Sequence, residues 1–208
     1  LRNADFVNFC VPTEVVNRRM KEVLPYAKPG AIISGETSIK ELEVEAFDTV
    51  MRNNPGLGLQ LVTIHNMCTP SVSDARKEIL AIIPYNASRE AIARAVDFYG
   101  SLSDNVVMYS SPKEHDTRVA NTQANTSRLF LAIAKAFADR GCFPGVNLSY
   151  SGAFDEAKFA LAMRVANQPA HIYKGIQFLN SRGRELAKHS SEIERELFAL
   201  IVEGNLKK

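Results

Sequence analysis

The residue best placed for chemistry is a histidine that closes an apolar run. Leu61-Val62-Thr63-Ile64 is followed by His65-Asn66. Four apolar or β-branched residues in a row read as a buried strand. Parallel sheets place their ligands outside the carboxyl ends of their strands. His65 is therefore expected to meet a substrate there while the strand holds it still. A neutral imidazole can accept a proton near pH 7, so His65 is read as a catalytic base. The other histidines, His115, His171 and His189, are dispersed. No two share a metal-binding spacing, and no metal site is expected. Gly56-Leu57-Gly58 comes nearest to a phosphate-binding Gly-x-Gly-x-x-Gly turn, but Leu61 stands at the third glycine and a strand follows, not a helix. It is rejected as a nucleotide loop.

The elements that position His65 alternate. Residues 6–11 form a strand. Pro12-Thr13-Glu14 then opens a helix with Thr13 as N-cap and Val15, Val16, Met20, Val23 and Leu24 as apolar positions. Ala31-Ile32-Ile33 is a second strand ending in Ser34-Gly35-Glu36-Thr37-Ser38. A helix with Ile39, Leu42, Phe47 and Val50 leads to the strand of His65. This alternation predicts βαβ units and a parallel sheet. Ile79–Pro84, a helix after Ser88, and Asn105–Tyr109 continue the pattern. No strand-like run follows Ser110-Ser111-Pro112, so the chain divides into an α/β part, 1–111, and an all-α part, 112–208. The second part holds a long helix from about Glu114 to Arg140, a break at Gly141-Cys142-Phe143-Pro144-Gly145, and helices over roughly Phe154–Asn167, around Ile172–Leu179, and over Glu185–Val202. So many apolar helices exceed what a small bundle needs, and a dimer through this part is expected.

Composition is that of an ordinary globular protein: 46% hydrophobic and 23% charged residues, with a net charge of +2 over 208 residues. That balance gives no reason to propose a nucleic acid or a membrane surface as partner. No apolar run reaches the length of a membrane span. Cys10, Cys68 and Cys142 are far apart and odd in number. They read as reduced thiols of an intracellular, cytoplasmic protein. The chain starts at Leu1 and runs almost at once into a strand, like an α/β domain whose beginning is absent.

Four segments, taken in order, resemble the prephenate dehydrogenase family of tyrosine biosynthesis. They are Ser34-Gly35-Glu36-Thr37-Ser38-Ile39-Lys40 after a strand, His65 at the next strand end, Glu114-His115-Asp116 opening a helix, and Thr122-Gln123-Ala124 beyond it. Glu45-Ala46-Phe47 and Thr63-Ile64-His65 bring it closest to the fungal members. The resemblance implies an incomplete Rossmann-like parallel sheet followed by a helical dimerisation domain. The family's first βαβ unit, with its glycine-rich turn, is not found here. The chain is accordingly expected to be an N-terminally truncated form that binds NAD or NADP poorly by itself.

The activity implied is oxidative decarboxylation: prephenate gives a ring hydride to the nicotinamide, loses carbon dioxide and becomes hydroxyphenylpyruvate. In this resemblance His65 is the base, and Ser38 is the serine that orients it, although Ser38 also fits a helix N-cap. His115 lies at the substrate or nicotinamide end. Ser127 stands where the family usually carries a second histidine. It can donate a hydrogen bond but carries no charge. Arg164 is the candidate for binding a substrate carboxylate as a bidentate guanidinium. Bacterial members place that arginine one residue further from the proline, a turn of about 100° on a helix, and a solvated helix face explains Arg164 as well. Val11, Pro12 and Thr13 follow the strand beside the nicotinamide ribose and are expected to line the cofactor.

Three alternatives stand beside this reading. An arogenate dehydrogenase differs in the substrate's amino group. A non-catalytic dimeric remnant would account for Ser127 and the missing glycine turn. A hydroxyacid or ketopantoate dehydrogenase would need a catalytic lysine early in the tail, where Lys135 sits too deep in an apolar helix. His171 and His189 read as structural or surface residues.

Overall fold

A computed structural model of the chain describes residues 1–68, 72–141 and 153–202. They form two compact units, Leu1–Arg118 and Val119–Lys208. The division falls within the helix that opens at Pro112, not ahead of it as the sequence suggests. The Glu114-His115-Asp116 turn therefore belongs with the sheet.

The first unit is built on a five-stranded sheet in the order β1-β2-β3-β4-β5. The strands are β1 Phe6–Phe9, β2 Ile32–Gly35, β3 Gln60–Asn66, β4 Ile79–Tyr85 and β5 Asn105–Met108. Crossover helices α1 (Thr13–Val23) and α2 (Glu41–Asn53) make β1, β2 and β3 parallel. The sheet is not parallel throughout, however. β4 runs antiparallel to β3, and β5 follows β4 in parallel after α3 (Arg89–Gly100). A parallel return needs a crossover of a dozen or more residues, usually helical. Among the described residues, the link from β3 to β4 offers only the single turn Ala75–Lys77.

Alternation along the strands sorts the core into two layers. Phe9, Ile33 and Leu61 pack with Val16, Met20, Ala46, Phe47 and Val50 from α1 and α2. Ile32, Val62, Ile64, Leu80 and Ile82 pack with Ala91, Ala95 and Tyr99 of α3. Thr63 and His65 share strand parity with Leu61, which turns them to the α2 side. That places polar groups on a buried face, and they need partners there.

Helix starts differ from the sequence expectation. Pro12, not Thr13, holds the cap position of α1, and no side chain caps it. Pro is pre-set for a helix start because its φ is fixed. Ser88 caps α3 as anticipated, its hydroxyl accepting from the Ala91 amide at 3.2 Å. α2 begins after Lys40, whose side chain cannot accept a hydrogen bond, so its cap comes from elsewhere.

α4 spans Pro112–Val119. The second unit continues with a π-helical segment Ala120–Asn125, α5 Thr126–Asp139, α6 Ala153–Ala166, α7 Ala170–Tyr173, a second π-helical segment Lys174–Leu179, and α8 Ser181–Val202. α8 starts earlier than its apolar pattern suggests because Asn180 caps it. Asn180 Oδ1 accepts from the amides of Arg182 (3.0 Å) and Gly183 (3.2 Å). A Cβ on Gly183 would lie 3.4 Å from Ala124 Cβ and 3.2 Å from the Ile176 carbonyl. The bare glycine thus lets α8 approach the first π segment closely. Ser190 to Asn125 (2.8 Å) and Arg128 to Glu194 (3.0 Å) tie the same elements together. The expected break at Cys142–Gly145 lies outside the described residues.

Candidate active site

Three parallel strands end on one side of the sheet, and the polar residues of the first unit gather there. β1 and β2 end in a small cluster. Asn8 Nδ2 donates to Glu36 Oε1 at 2.5 Å, and Cys10 Sγ lies 3.2 Å from the same oxygen. Burial, and then Glu36, pushes the Cys10 thiol up to about 11. It stays protonated at neutral pH and is no nucleophile. Val11, Pro12 and Thr13 follow, with Pro12 exposed and its neighbours half-buried.

Beneath the ends of β2 and β3 lies a charge pair that sequence reasoning missed. Lys40 and Glu43, both fully buried, meet at 3.1 Å. Lys40 Nζ also donates to the carbonyls of Gly35 (3.1 Å) and Ile64 (2.5 Å) and to Thr63 Oγ1 (3.0 Å). Glu43 accepts from the Thr37 amide at 3.1 Å and also contacts the hydroxyls of Thr37 and Thr63. Burial holds the Lys40 ammonium below its ordinary value, outweighing the opposing pull of Glu43. Gly35 makes room for this pair: a Cβ there would lie 2.5 Å from Glu43 Oε1. One clue was present in the sequence. Glu43, Ala46, Phe47 and Val50 fall at helical spacing on one face, and a carboxylate in such a stripe needs a buried cation.

His65 closes β3 at 4% exposure. Its Nδ1 lies 3.0 Å from Nε2 of His115, which is fully buried on the first turns of α4. The rings meet edge to face, with centroids 5.1 Å apart, and Tyr109 packs edge-on against His115 at 5.2 Å. His115 Nδ1 lies 2.8 Å from Asp116 Oδ1. That same carboxylate caps α2. It accepts from the Lys40 amide at 2.9 and 3.0 Å and from the Glu41 amide at 2.9 Å. One acidic side chain thus joins the amino end of α2 to the histidine pair. Burial first, then the Lys40 charge and His115, hold His65 well below its ordinary 6.5. His65 is therefore neutral at pH 7 and able to accept a proton.

The structure brings His65 and His115 together. Ser38 is half-buried in the loop between β2 and α2, and among the described residues no hydrogen bond joins it to His65. Nor does it cap α2. Ser127, half-buried on α5, and Arg164, exposed on α6, belong to the second unit. His189 is exposed on α8, 3.9 Å from Glu192, and the side chain of His171 lies outside the described residues.

A buried, neutral histidine at a strand end, backed by a second histidine and a carboxylate, is the arrangement that the resemblance anticipates. Over 207 residues, 99% of its length, the chain is 30% identical to a probable prephenate dehydrogenase (NADP+) of Schizosaccharomyces pombe. It is 25% identical over 206 residues to the prephenate dehydrogenase (NADP+) of Saccharomyces cerevisiae. The chain is a relative of the prephenate dehydrogenases. It spans about half the length of these curated relatives, 46% and 44% respectively. Residues 124–208 match the family described as the 6-phosphogluconate dehydrogenase C-terminal domain. The fold agrees. A prephenate dehydrogenase from Aquifex aeolicus, solved with hydroxyphenyl propionate and NAD+, superposes with a TM-score of 0.73 over 98% of this chain and 71% of that one, at 17% identity. The arogenate dehydrogenase of Synechocystis gives 0.70 over 99% of this chain and 74% of that one, also at 17% identity. Among prephenate dehydrogenases, then, this chain supplies the sheet that carries His65 and the helical unit beyond it.

Proposed function

We propose that this chain carries the base and the substrate-binding helices of an NAD(P)-dependent prephenate dehydrogenase. The observation that carries the reading is the neutral His65 at the end of β3, anchored through Nδ1 by His115. With Nδ1 engaged, Nε2 is the atom left to take the proton from the substrate's ring hydroxyl. Loss of that proton pushes electron density into the ring as hydride and carboxylate leave, which is general base catalysis. His115 supports the ring that does this. Arg164 and Ser127 are proposed to bind the dianionic substrate, Arg164 through a bidentate contact with a carboxylate. Ser38 is proposed to lie beside the reacting hydroxyl.

When bound, the dinucleotide accepts the hydride. Val11, Pro12 and Thr13, at the carboxyl end of β1, suit the nicotinamide end of such a cofactor. The pyrophosphate is another matter: no Gly-x-Gly-x-x-Gly turn occurs in these 208 residues. The test is turnover of prephenate and of arogenate with NAD+ and with NADP+, read as reduced nicotinamide and released carbon dioxide. Prephenate turnover is expected. Preference for arogenate would move the chain to that activity, and no turnover with any pair would favour the non-catalytic remnant.

We also propose that the protein is a homodimer through α8. Ile193, Leu197, Phe198, Ile201 and Val202 are all exposed on this helix, with Phe198 at 66%. An apolar face of this extent is costly to leave in water. Light scattering is expected to give twice the chain mass, and Leu197→Glu combined with Ile201→Glu to give the monomer.

A further inference from the structure

The Asp116–His115–His65 chain carries more information than its distances. We infer that Asp116 is a positioning residue that fixes, through His115, which nitrogen of His65 bears the proton. The inference takes its functional meaning from the reading of His65 as a base. Its structural content can be tested without any turnover.

The argument is a count of donors and acceptors. The Asp116 carboxylate accepts the α2 amides of Lys40 and Glu41. With both oxygens engaged by N–H donors it acts as an ionised acceptor. His115 Nδ1, at 2.8 Å from Oδ1, must then be the N–H partner. A neutral imidazole protonated at Nδ1 has a bare Nε2. That bare Nε2 faces His65 Nδ1 at 3.0 Å, and two bare nitrogens do not approach so closely without a proton between them. His65 Nδ1 therefore carries the hydrogen, and His65 Nε2 is left with a lone pair. That is the tautomer a base needs.

The competing arrangement is a doubly protonated His115. It would donate from both nitrogens, take the lone pair of His65 Nδ1, and leave the hydrogen on His65 Nε2, where it cannot abstract a proton. Two features oppose it. His115 is fully buried, which disfavours its charged form. The negative charge of Asp116 is also already directed at the amino end of a 13-residue helix. The cap on α2 thus does two jobs: it satisfies the helix amides, and it leaves the carboxylate as an acceptor for neutral His115. When Nε2 takes a substrate proton, the new charge on His65 is relieved through the same line of hydrogen bonds, as in the serine-hydrolase relay.

The test is nitrogen-15 NMR of the histidine rings in the full chain, which holds 4 histidines. At pH 7, His65 is expected to show a protonated Nδ1 and a bare Nε2, and His115 a protonated Nδ1. Asp116→Ala is expected to lose this single form and give a tautomer mixture at His65. His115→Gln should keep it, since the glutamine oxygen can accept from His65 Nδ1 without help from Asp116. The double variant Asp116→Ala/His115→Gln should therefore recover the His65 form that Asp116→Ala loses. A hydrogen on His65 Nε2 in the unaltered protein, or a doubly protonated His115, overturns the inference. So does a His65 ring indifferent to Asp116→Ala, or a double variant no better than Asp116→Ala. Should Asp116→Ala not fold, the spectra of the unaltered protein and of His115→Gln still decide. Where turnover is measurable, Asp116→Ala should lower kcat with little change in KM, and the double variant should restore it. Absence of turnover in every form bears on the proposed activity alone.

Discussion

Replacing His65 with asparagine is expected to lower kcat for prephenate by roughly 100- to 10,000-fold, the usual contribution of a positioned general base. Asparagine keeps a polar side chain of similar reach but cannot accept and hold a proton. KM should change little, since the substrate carboxylates are bound elsewhere. Unfolding midpoints should stay close to those of the parent, because the ring makes one polar link, to His115. A variant that retains kcat within a few-fold would remove His65 from the chemistry and with it the proposed mechanism. The same group predicts a pH dependence. Burial, Lys40 and His115 depress its proton affinity in the folded state. The acid limb of kcat/KM should accordingly lie below pH 6.5. For stability the sign follows from linkage. The unfolded chain binds a proton near pH 6.5, and the folded chain refuses it until the pH is lower. Stability is therefore full above pH 6.5 and is lost as the pH falls toward the folded value, a trend visible in urea midpoints.

Lys40→Met should be the most destabilising single change in the first unit. Lys40 and Glu43 are both fully buried and share Gly35, Thr63 and Ile64 as partners. Removing one member of such a pair leaves the other charge without compensation and costs about 3–5 kcal/mol. A loss of that size is a large part of a typical domain's stability. The deficit should shrink at low pH, where the Glu43 carboxyl can be protonated. Lys40→Met/Glu43→Gln should recover much of the loss, because no unpaired charge remains. Urea unfolding of the three proteins decides the matter: a single variant within about 1 kcal/mol of the parent would contradict the buried-pair argument. In Lys40→Met the His65 titration should also move up, since the ammonium is one cause of its depression. That second readout separates an electrostatic role for Lys40 from simple space filling.

Much of this molecule was legible in its sequence. Apolar periodicity placed the strands and helices, and the order of elements identified the sheet unit and the helical unit. The motifs around Lys40, His65 and His115 pointed to the prephenate dehydrogenases. Errors arose where long-range partners decide the outcome. The direction of β4 depends on whether the link from β3 can cross over, and the apolar run Ile79–Tyr85 looks the same either way. The start of α2 looked like a task for Ser38 because local residues are the usual caps. Its actual cap, Asp116, is 76 positions from Lys40 in the chain. The unit boundary moved into a helix because Asp116 and His115 are held by the sheet unit.

By itself the sequence determined that His65 would close a buried strand, because β-branched runs and their ends are local properties. It also determined the family resemblance, because motifs are linear. Only the tertiary structure decided what surrounds that histidine. The Lys40–Glu43 pair beneath it, the His115 ring against it and the Asp116 carboxylate behind both come from separate elements. No spacing along the chain encodes those contacts, which exist only once α2, β3 and the first turns of α4 have packed together.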